Sequence, residues 1–189
     1  MGVLIGPNTL YYVIVRPKGK LREDFDFSDE KVRKPALLRP EMGERGTGDM
    51  ATTVIAITNQ KGGVGKTTTA AALLTGLHRR GAAVLGVDMD PQGSLGFSLG
   101  LDIEHCTTIY DVFRGQAEPE QAIVRTDTCD ILPSNILLSG AELEFNRPGR
   151  EFLLKTALSK VEDQYDYIII DTPPALSLLT VNAYVATDS

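Results

Sequence analysis

Cysteine, histidine and long apolar runs are scarce in this sequence, and each scarcity removes a class of protein. The two cysteines among 189 residues, Cys106 and Cys129, sit in the unrelated contexts "EHCTTIY" and "DTCDIL". They offer neither a disulfide framework nor metal-ligand spacing, so a reducing cytoplasm is the simplest compartment. The two histidines, His78 and His105, belong to no motif and read as surface residues. No apolar run approaches the ~20 residues a membrane-spanning helix needs. The start "MGVLIGPNTLYYVIV" lacks a basic n-region and is interrupted at Pro7-Asn8, which argues against a signal peptide. A surplus of positive charge is missing too: 19 Lys/Arg face 25 Asp/Glu, a net charge of −6, so the whole chain makes no case for nucleic-acid binding. The balance is uneven, with nine Lys/Arg against eight Asp/Glu over 1–49 and ten against seventeen over 50–189, which gives +1 and −7.

What is present divides near residue 50. Residues 16–49 mix both charges with prolines and glycines, show no sustained period, and read as linker or disordered chain. Upstream, "TLYYVIV" reads as one strand, and an isolated strand is not a domain. From Met50 the pattern changes. "TVIAIT" (53–58) is a β-branched, nearly continuous apolar run of the kind that forms a central parallel strand. Glycines follow, then "KTTTAAALLTGLHRRG", whose Ala70, Leu73, Leu74 and Leu77 recur at helical spacing before a stop at Gly81. "AVLGVD" (83–88) is a second buried strand, and strand, loop, helix and strand make one βαβ unit. Downstream, "TIYDVFRG", "PEQAIV", "SGAELEF", "REFLLKTALSKVED" and "LSLLTVNAYVAT" predict helices. "CDILPS" and "YDYIIIDTPP" (165–174) predict strands. The alternation predicts an α/β fold with a doubly wound, mostly parallel sheet and flanking helices.

The loop "TNQKGGVGKTTT" carries the chemistry. In the phosphate-binding pattern G-x-x-x-x-G-K-[ST], Gln60 stands where the leading glycine belongs, and Lys61 adds a second lysine five residues before Lys66. Between a strand and a helix, such a loop turns successive N–H groups inward beside the positive end of the helix. Gly62, Gly63, Val64, Gly65, Lys66, Thr67 and Thr68 are therefore the candidate nucleotide-binding residues. Lys66 would reach the terminal phosphates, and the Thr67 hydroxyl would ligate Mg²⁺.

"KGGVGKTT" resembles the deviant Walker A motif of the ParA/MinD ATPases, in the wider class that includes nitrogenase iron protein and the arsenite pump ATPase. The resemblance continues at "DMDPQGS" (88–94), "LPSNILLSGAELEF", "GREFLLKTAL" and "YIIIDTPP", and the DPQG segment is closer to ParA and Soj than to MinD. It implies ATP and Mg²⁺ as cofactors and an ATP-dependent homodimer in which Lys61 reaches the partner's nucleotide. It implies Lys61, Lys66 and Asp90 as catalytic residues, Asp90 orienting the attacking water. Thr67, Asp88 and the Walker B residue Asp171 would hold the magnesium shell. Taken alone, the carboxylates of Asp88 and Asp90 would read as caps for a helix starting near Ser94, and the phosphate loop upstream favours the magnesium site and attacking water over that reading.

The implied function is that of a ParA-like Mg-ATPase in plasmid or chromosome partitioning, working in the cytoplasm on the nucleoid with a ParB-like partner and nonspecific DNA, without a membrane. A MinD-like division-site ATPase and an inactive fragment retaining only nucleotide contacts are the alternatives. Residues 1–49 match nothing in the family and are expected to be a disordered extension. Residues 50–189 match the N-terminal part of its ATPase domain, so the sheet is expected to be incomplete at the C-terminus, with an unpaired edge.

Overall fold

The computed structural model describes residues 2–6, 9–16, 52–145 and 148–187. Among these, seven strands form one sheet: β1 (Gly2–Gly6), β2 (Thr9–Arg16), β3 (Thr53–Thr58), β4 (Val84–Asp88), β5 (Val124–Arg125), β6 (Asp130–Leu132) and β7 (Tyr167–Asp171). The spatial order is β1-β2-β3-β7-β4-β6-β5. The four central strands β3, β7, β4 and β6 are mutually parallel, as predicted, and both flanks are antiparallel.

Strand parity sorts the core into two layers, because successive side chains point to opposite faces. Ile57 of β3, Val84 of β4, Ile131 of β6 and Ile169 of β7 pack with Ala70, Leu74 and Leu77 of α1 (Lys66–His78) and Leu95 of α2 (Ser94–Ser98). Val54, Ala56, Leu85, Val87, Leu132, Ile168 and Ile170 face the other way. There they meet α3 (Ile109–Phe113), α4 (Pro119–Ala122), α5 (Ala141–Glu144), α6 (Leu153–Leu158) and α7 (Leu178–Thr187). Helices on both faces explain why the central strands read as continuous apolar runs.

The structure departs from the sequence reading in three places. "TLYYVIV" is no isolated strand: β2 pairs with β1 and, antiparallel, with β3, from Arg16↔Val54 to Tyr12↔Thr58. The N–H and C=O groups along that side of the phosphate-loop strand are therefore paired with another segment of the same chain. The disorder expected for 1–49 does not describe residues 2–6 and 9–16, and the linker reading of 17–49 falls outside the described residues. "PEQAIV" is helical only to Ala122, and its end pairs with β6 as β5. "SGAELEF" and "REFLLKTALSKVED" each open with a 3₁₀ turn and hold only a short α-helix.

Asn182 ties two of these short pieces together. Its fully buried amide accepts from the Leu154 N–H (3.0 Å) and donates to the Arg150 carbonyl (2.9 Å) and the Leu178 carbonyl (3.0 Å). A free N–H at the start of α6 is satisfied from α7 rather than by a local cap. Asn182→Ala strands these groups in the core and is expected to lower unfolding free energy by about 2–3 kcal/mol. The urea midpoint should fall accordingly, while the far-UV circular dichroism of the folded protein stays unchanged.

Candidate nucleotide-binding site

The site lies at the carboxyl ends of the parallel strands, where open α/β sheets bind ligands. β3 leads into the loop 59–65, and Gly65 enters α1 with φ +89°, a left-handed conformation that strains any residue with a Cβ. Gly63 has φ +70°, and nothing lies within 4 Å of the position its Cβ would take. The loop is thus an open backbone cradle at the head of a thirteen-residue helix. Lys61, Gly62, Gly63 and Thr68 are exposed, Val64, Gly65 and Thr67 are half-buried, and Lys66 is 7% exposed. The Lys61 N–H donates to Asn59 Oδ1 (2.9 Å), which turns the start of the loop on itself.

Two carboxylates converge beneath this cradle. Asp171 ends β7 and Asp88 ends β4, and the two are register partners in adjacent parallel strands. Both share the parity of Ile169 and Val84, so both side chains lie on the α1 face, and both residues are fully buried. The Thr67 hydroxyl donates to Asp171 Oδ2 at 2.6 Å. The other oxygen, Asp171 Oδ1, is buried without a hydrogen-bond partner. Burial, above all, pushes the Asp171 carboxyl up to about 6; the Thr67 hydrogen bond and the Lys66 charge pull it down, and the nearby charge of Asp90 pushes it up. Burial likewise raises Asp88 to about 7, with Asp171 adding to the rise.

The partners of Asp88 differ from those of Asp171. Its Oδ1 accepts the Asp90 N–H (3.0 Å), and its Oδ2 accepts the N–H groups of Leu95 (2.9 Å) and Gly96 (3.4 Å). Asp88 therefore caps α2 from seven residues upstream, and of the two readings open for this carboxylate the geometry supports helix capping. Asp90 is half-buried, and its Oδ1 accepts the Gln92 N–H (3.0 Å). Thr172 and Ser134, which the sequence does not single out, also brace the site: the buried Thr172 hydroxyl donates to the Ile57 carbonyl (2.8 Å), locking the end of β7 to β3. Hydroxyl residues just after a strand are the signal that could have found both.

The residues fit a hydrated divalent cation at Thr67 and Asp171. A buried carboxylate oxygen with no partner is costly, a threonine hydroxyl stands beside it, and an open cradle of backbone N–H groups lies above. His78 and His105 are outside this arrangement, and His105 is exposed beside Asp102 (2.9 Å). Among the described residues, no helix is long and apolar enough to cross a membrane.

Known proteins resemble this chain in sequence and in fold. The model of the family described as "AAA domain" matches residues 52–189, and the chain belongs to that family, as a member of its ParA/Soj type. The sporulation initiation inhibitor protein Soj of Bacillus subtilis is 49% identical over 142 residues, 72% of this chain and 55% of that protein. The chromosome partitioning protein ParA of Myxococcus xanthus is 44% identical over 151 residues, 78% of this chain and 53% of that one. Among solved structures, cobyrinic acid a,c-diamide synthase from Mycobacterium smegmatis with bound ATP analogue and magnesium superposes with a TM-score of 0.70 at 47% identity, covering 72% of this chain and 55% of that chain. The ATP complex of a Cyanothece McdA variant superposes with a TM-score of 0.67 at 32% identity, covering 75% and 55%. The chain spans about half the length of the curated relatives it matches.

The buried carboxyls carry a pH signature. In the nucleotide- and metal-free protein they keep their protons at pH values where the unfolded chain, near 3.8, has lost them. Their contribution to stability is therefore fully present below pH 3.8 and declines as pH rises toward about 6 for Asp171 and about 7 for Asp88. Asp171→Asn removes its share, so urea midpoints measured from pH 4.5 to 7.5 should change less steeply in the variant than in the parent.

Proposed function

We propose that this chain is the nucleotide-binding part of a ParA-type Mg-ATPase, a switch that dimerises on ATP during plasmid or chromosome partitioning. The observation that carries the reading is the pairing of the glycine cradle with Thr67 and Asp171, whose second oxygen is buried and unsatisfied. Relatives solved with magnesium and either ADP or an ATP analogue support ATP and Mg²⁺ as its ligands.

In this reading the N–H groups of Gly62 to Thr68 bind phosphate oxygens, and Lys66, buried at the head of α1, neutralises the terminal phosphates. Thr67 and Asp171 hold the Mg²⁺, which supplies charge neutralisation at the phosphate oxygens. Asp90 orients a water toward the terminal phosphate. Phosphoryl transfer through a loose transition state needs positioning more than strong base chemistry, so an ordinary carboxylate suffices. Asp88 serves the magnesium shell indirectly, by fixing the loop that carries Asp90. Lys61, exposed at the mouth of the loop, is free of any phosphate-binding duty within its own subunit and reaches the nucleotide of a second copy. A ParB-like protein and nonspecific DNA are the partners of the complete protein, and the cytoplasm its compartment. Residues 50–189 carry −7, so the net charge that attracts DNA is sought elsewhere in the complete protein.

Lys66→Ala removes a charge-assisted phosphate contact worth about 1.5–3 kcal/mol and should weaken Mg-ATP binding at least about tenfold by calorimetry. Equal affinity in variant and parent would sink the assignment of the loop. Lys61→Ala should leave ATP binding within about twofold while abolishing ATP-dependent dimerisation. That contrast is to be read by analytical ultracentrifugation on a chimera appending the C-terminal half of the Bacillus subtilis relative. Indistinguishable behaviour of the two variants would make Lys61 a second ligand in its own subunit.

A further inference from the structure

We infer that Ser134 is a positioning residue for hydrolysis: its buried hydroxyl holds the backbone of Asp90 and thereby sets where the Asp90 carboxylate stands. The inference rests on the reading of Asp90 given under the proposed function.

The ladder between β4 and β6 stops short of the site. β4 and β6 pair in register through Leu85↔Asp130, Gly86↔Ile131 and Val87↔Leu132. The next residue on β6 is Pro133, which has no N–H and cannot extend the ladder. Its carbonyl turns away and accepts the Ile109 N–H of α3 (2.9 Å). One residue on, the Ser134 side chain makes the link that the backbone cannot, donating from Oγ to the Asp90 carbonyl. Ser134 is fully buried, so no water competes for this bond.

Asp90 is thereby held at both ends of its own backbone unit. Its N–H is fixed by Asp88 Oδ1 (3.0 Å), and its carbonyl is shared by Ser134 Oγ and the Gly93 N–H (2.9 Å). Its Oδ1 accepts the Gln92 N–H (3.0 Å), which limits rotation of the carboxylate. The turn is tight enough to require glycine at 93: φ is +64°, and a Cβ there would meet Ile103 Cδ1 at 2.3 Å and the Ser134 carbonyl oxygen at 3.0 Å. Ser134 thus both donates to the loop and forms the wall against which it turns. The fixed carboxylate stands near enough to Asp171 for its charge to act there. A water oriented by a carboxylate reacts only from a narrow range of positions, so loosening this backbone by a fraction of an ångström should slow turnover without weakening nucleotide binding.

The test uses the full chain with Ser134→Ala, Ser134→Cys and Ser134→Thr, compared by amide hydrogen exchange with a non-hydrolysable ATP analogue and Mg²⁺. In Ser134→Ala, exchange at residues 89–93 should rise about tenfold while analogue affinity stays within about twofold. Ser134→Thr, which keeps the hydroxyl, should restore protection, and Ser134→Cys, a weak donor, should fall between. In turnover assays kcat should follow the same order, with KM unchanged. Parent-like exchange at 89–93 in Ser134→Ala overturns the inference. So does a loss of protection spread evenly over β3, β4 and β7, which would mark a merely structural role. Asp90→Ala separates the two readings: if it keeps the parent's turnover, the role of Asp90 fails, whatever the exchange at 89–93 shows.

Discussion

Two carboxylates buried side by side at the ends of β4 and β7 are the constraint around which the site is arranged. Neither Asp88 nor Asp171 is exposed to water, and the charge of Asp171 raises the cost of ionising Asp88. A sheet could avoid this with apolar side chains at the same positions, as it does one layer deeper at Gly86 and Ile169. Retaining both charges is costly unless each is met by hydrogen bonds or by a cation. The two are met differently. Asp88 is surrounded by three backbone N–H groups of its own loop. Asp171 has one hydroxyl partner, a lysine nearby and one unsatisfied oxygen. The first is a structural carboxyl whose hydrogen-bond partners lie within the chain. The second is left incomplete within the chain, with a buried oxygen that a divalent ion would satisfy.

The division was only partly legible in the sequence. The runs "TVIAIT", "AVLGVD" and "YIIID" announce themselves as central strands because they are covered on both faces, and the glycine loop with Lys66-Thr67 is readable because its chemistry is local. That Asp88 and Asp171 lie on one face could have been read from parity. That they stand directly opposite one another depends on the register of two strands 83 residues apart (171 − 88), which no local pattern encodes. The capping of α2 by Asp88 was legible as a possibility, and only the distances choose it. Short helices such as Ala141–Glu144 and Leu153–Leu158 were overestimated in length. Their apolar spacing extends into neighbouring 3₁₀ turns, whose three-residue repeat is close enough to the helical one to be read with it.

Residues outside the matched family domain contribute to the same architecture. β2 lies antiparallel against β3, and its pairing runs up to Thr58, the last residue before the phosphate loop begins to turn. Thr58 is also fixed from below the sheet, where its hydroxyl shares a hydrogen bond with the Tyr184 hydroxyl of α7 (3.0 Å). The strand that launches the loop is therefore held by β7 on one side, β2 on the other and α7 beneath. A family model covering 52–189 accounts for two of these three supports.

These supports are unequal across the site, and the inequality bears on which parts can respond to a nucleotide. The phosphate loop and Asp171 hang from strands paired along five consecutive register positions, with Thr172 bolting one to the other. The loop carrying Asp90 leaves β4 where pairing with β6 has already ended; toward β7 the Met89 N–H still reaches the Asp171 carbonyl, and toward β6 the loop is retained by side chains, Asp88 from within and Ser134 from across the gap. Ladder bonds open only with the sheet, whereas a side-chain bond to one carbonyl can be exchanged for another without disturbing the core. The phosphate-binding half thus rests on ladder pairing, while the turn that carries Asp90 depends on single side-chain bonds. A ligand moves an equilibrium only where two arrangements lie close in free energy, so any rearrangement falls more readily on that turn than on the ladder.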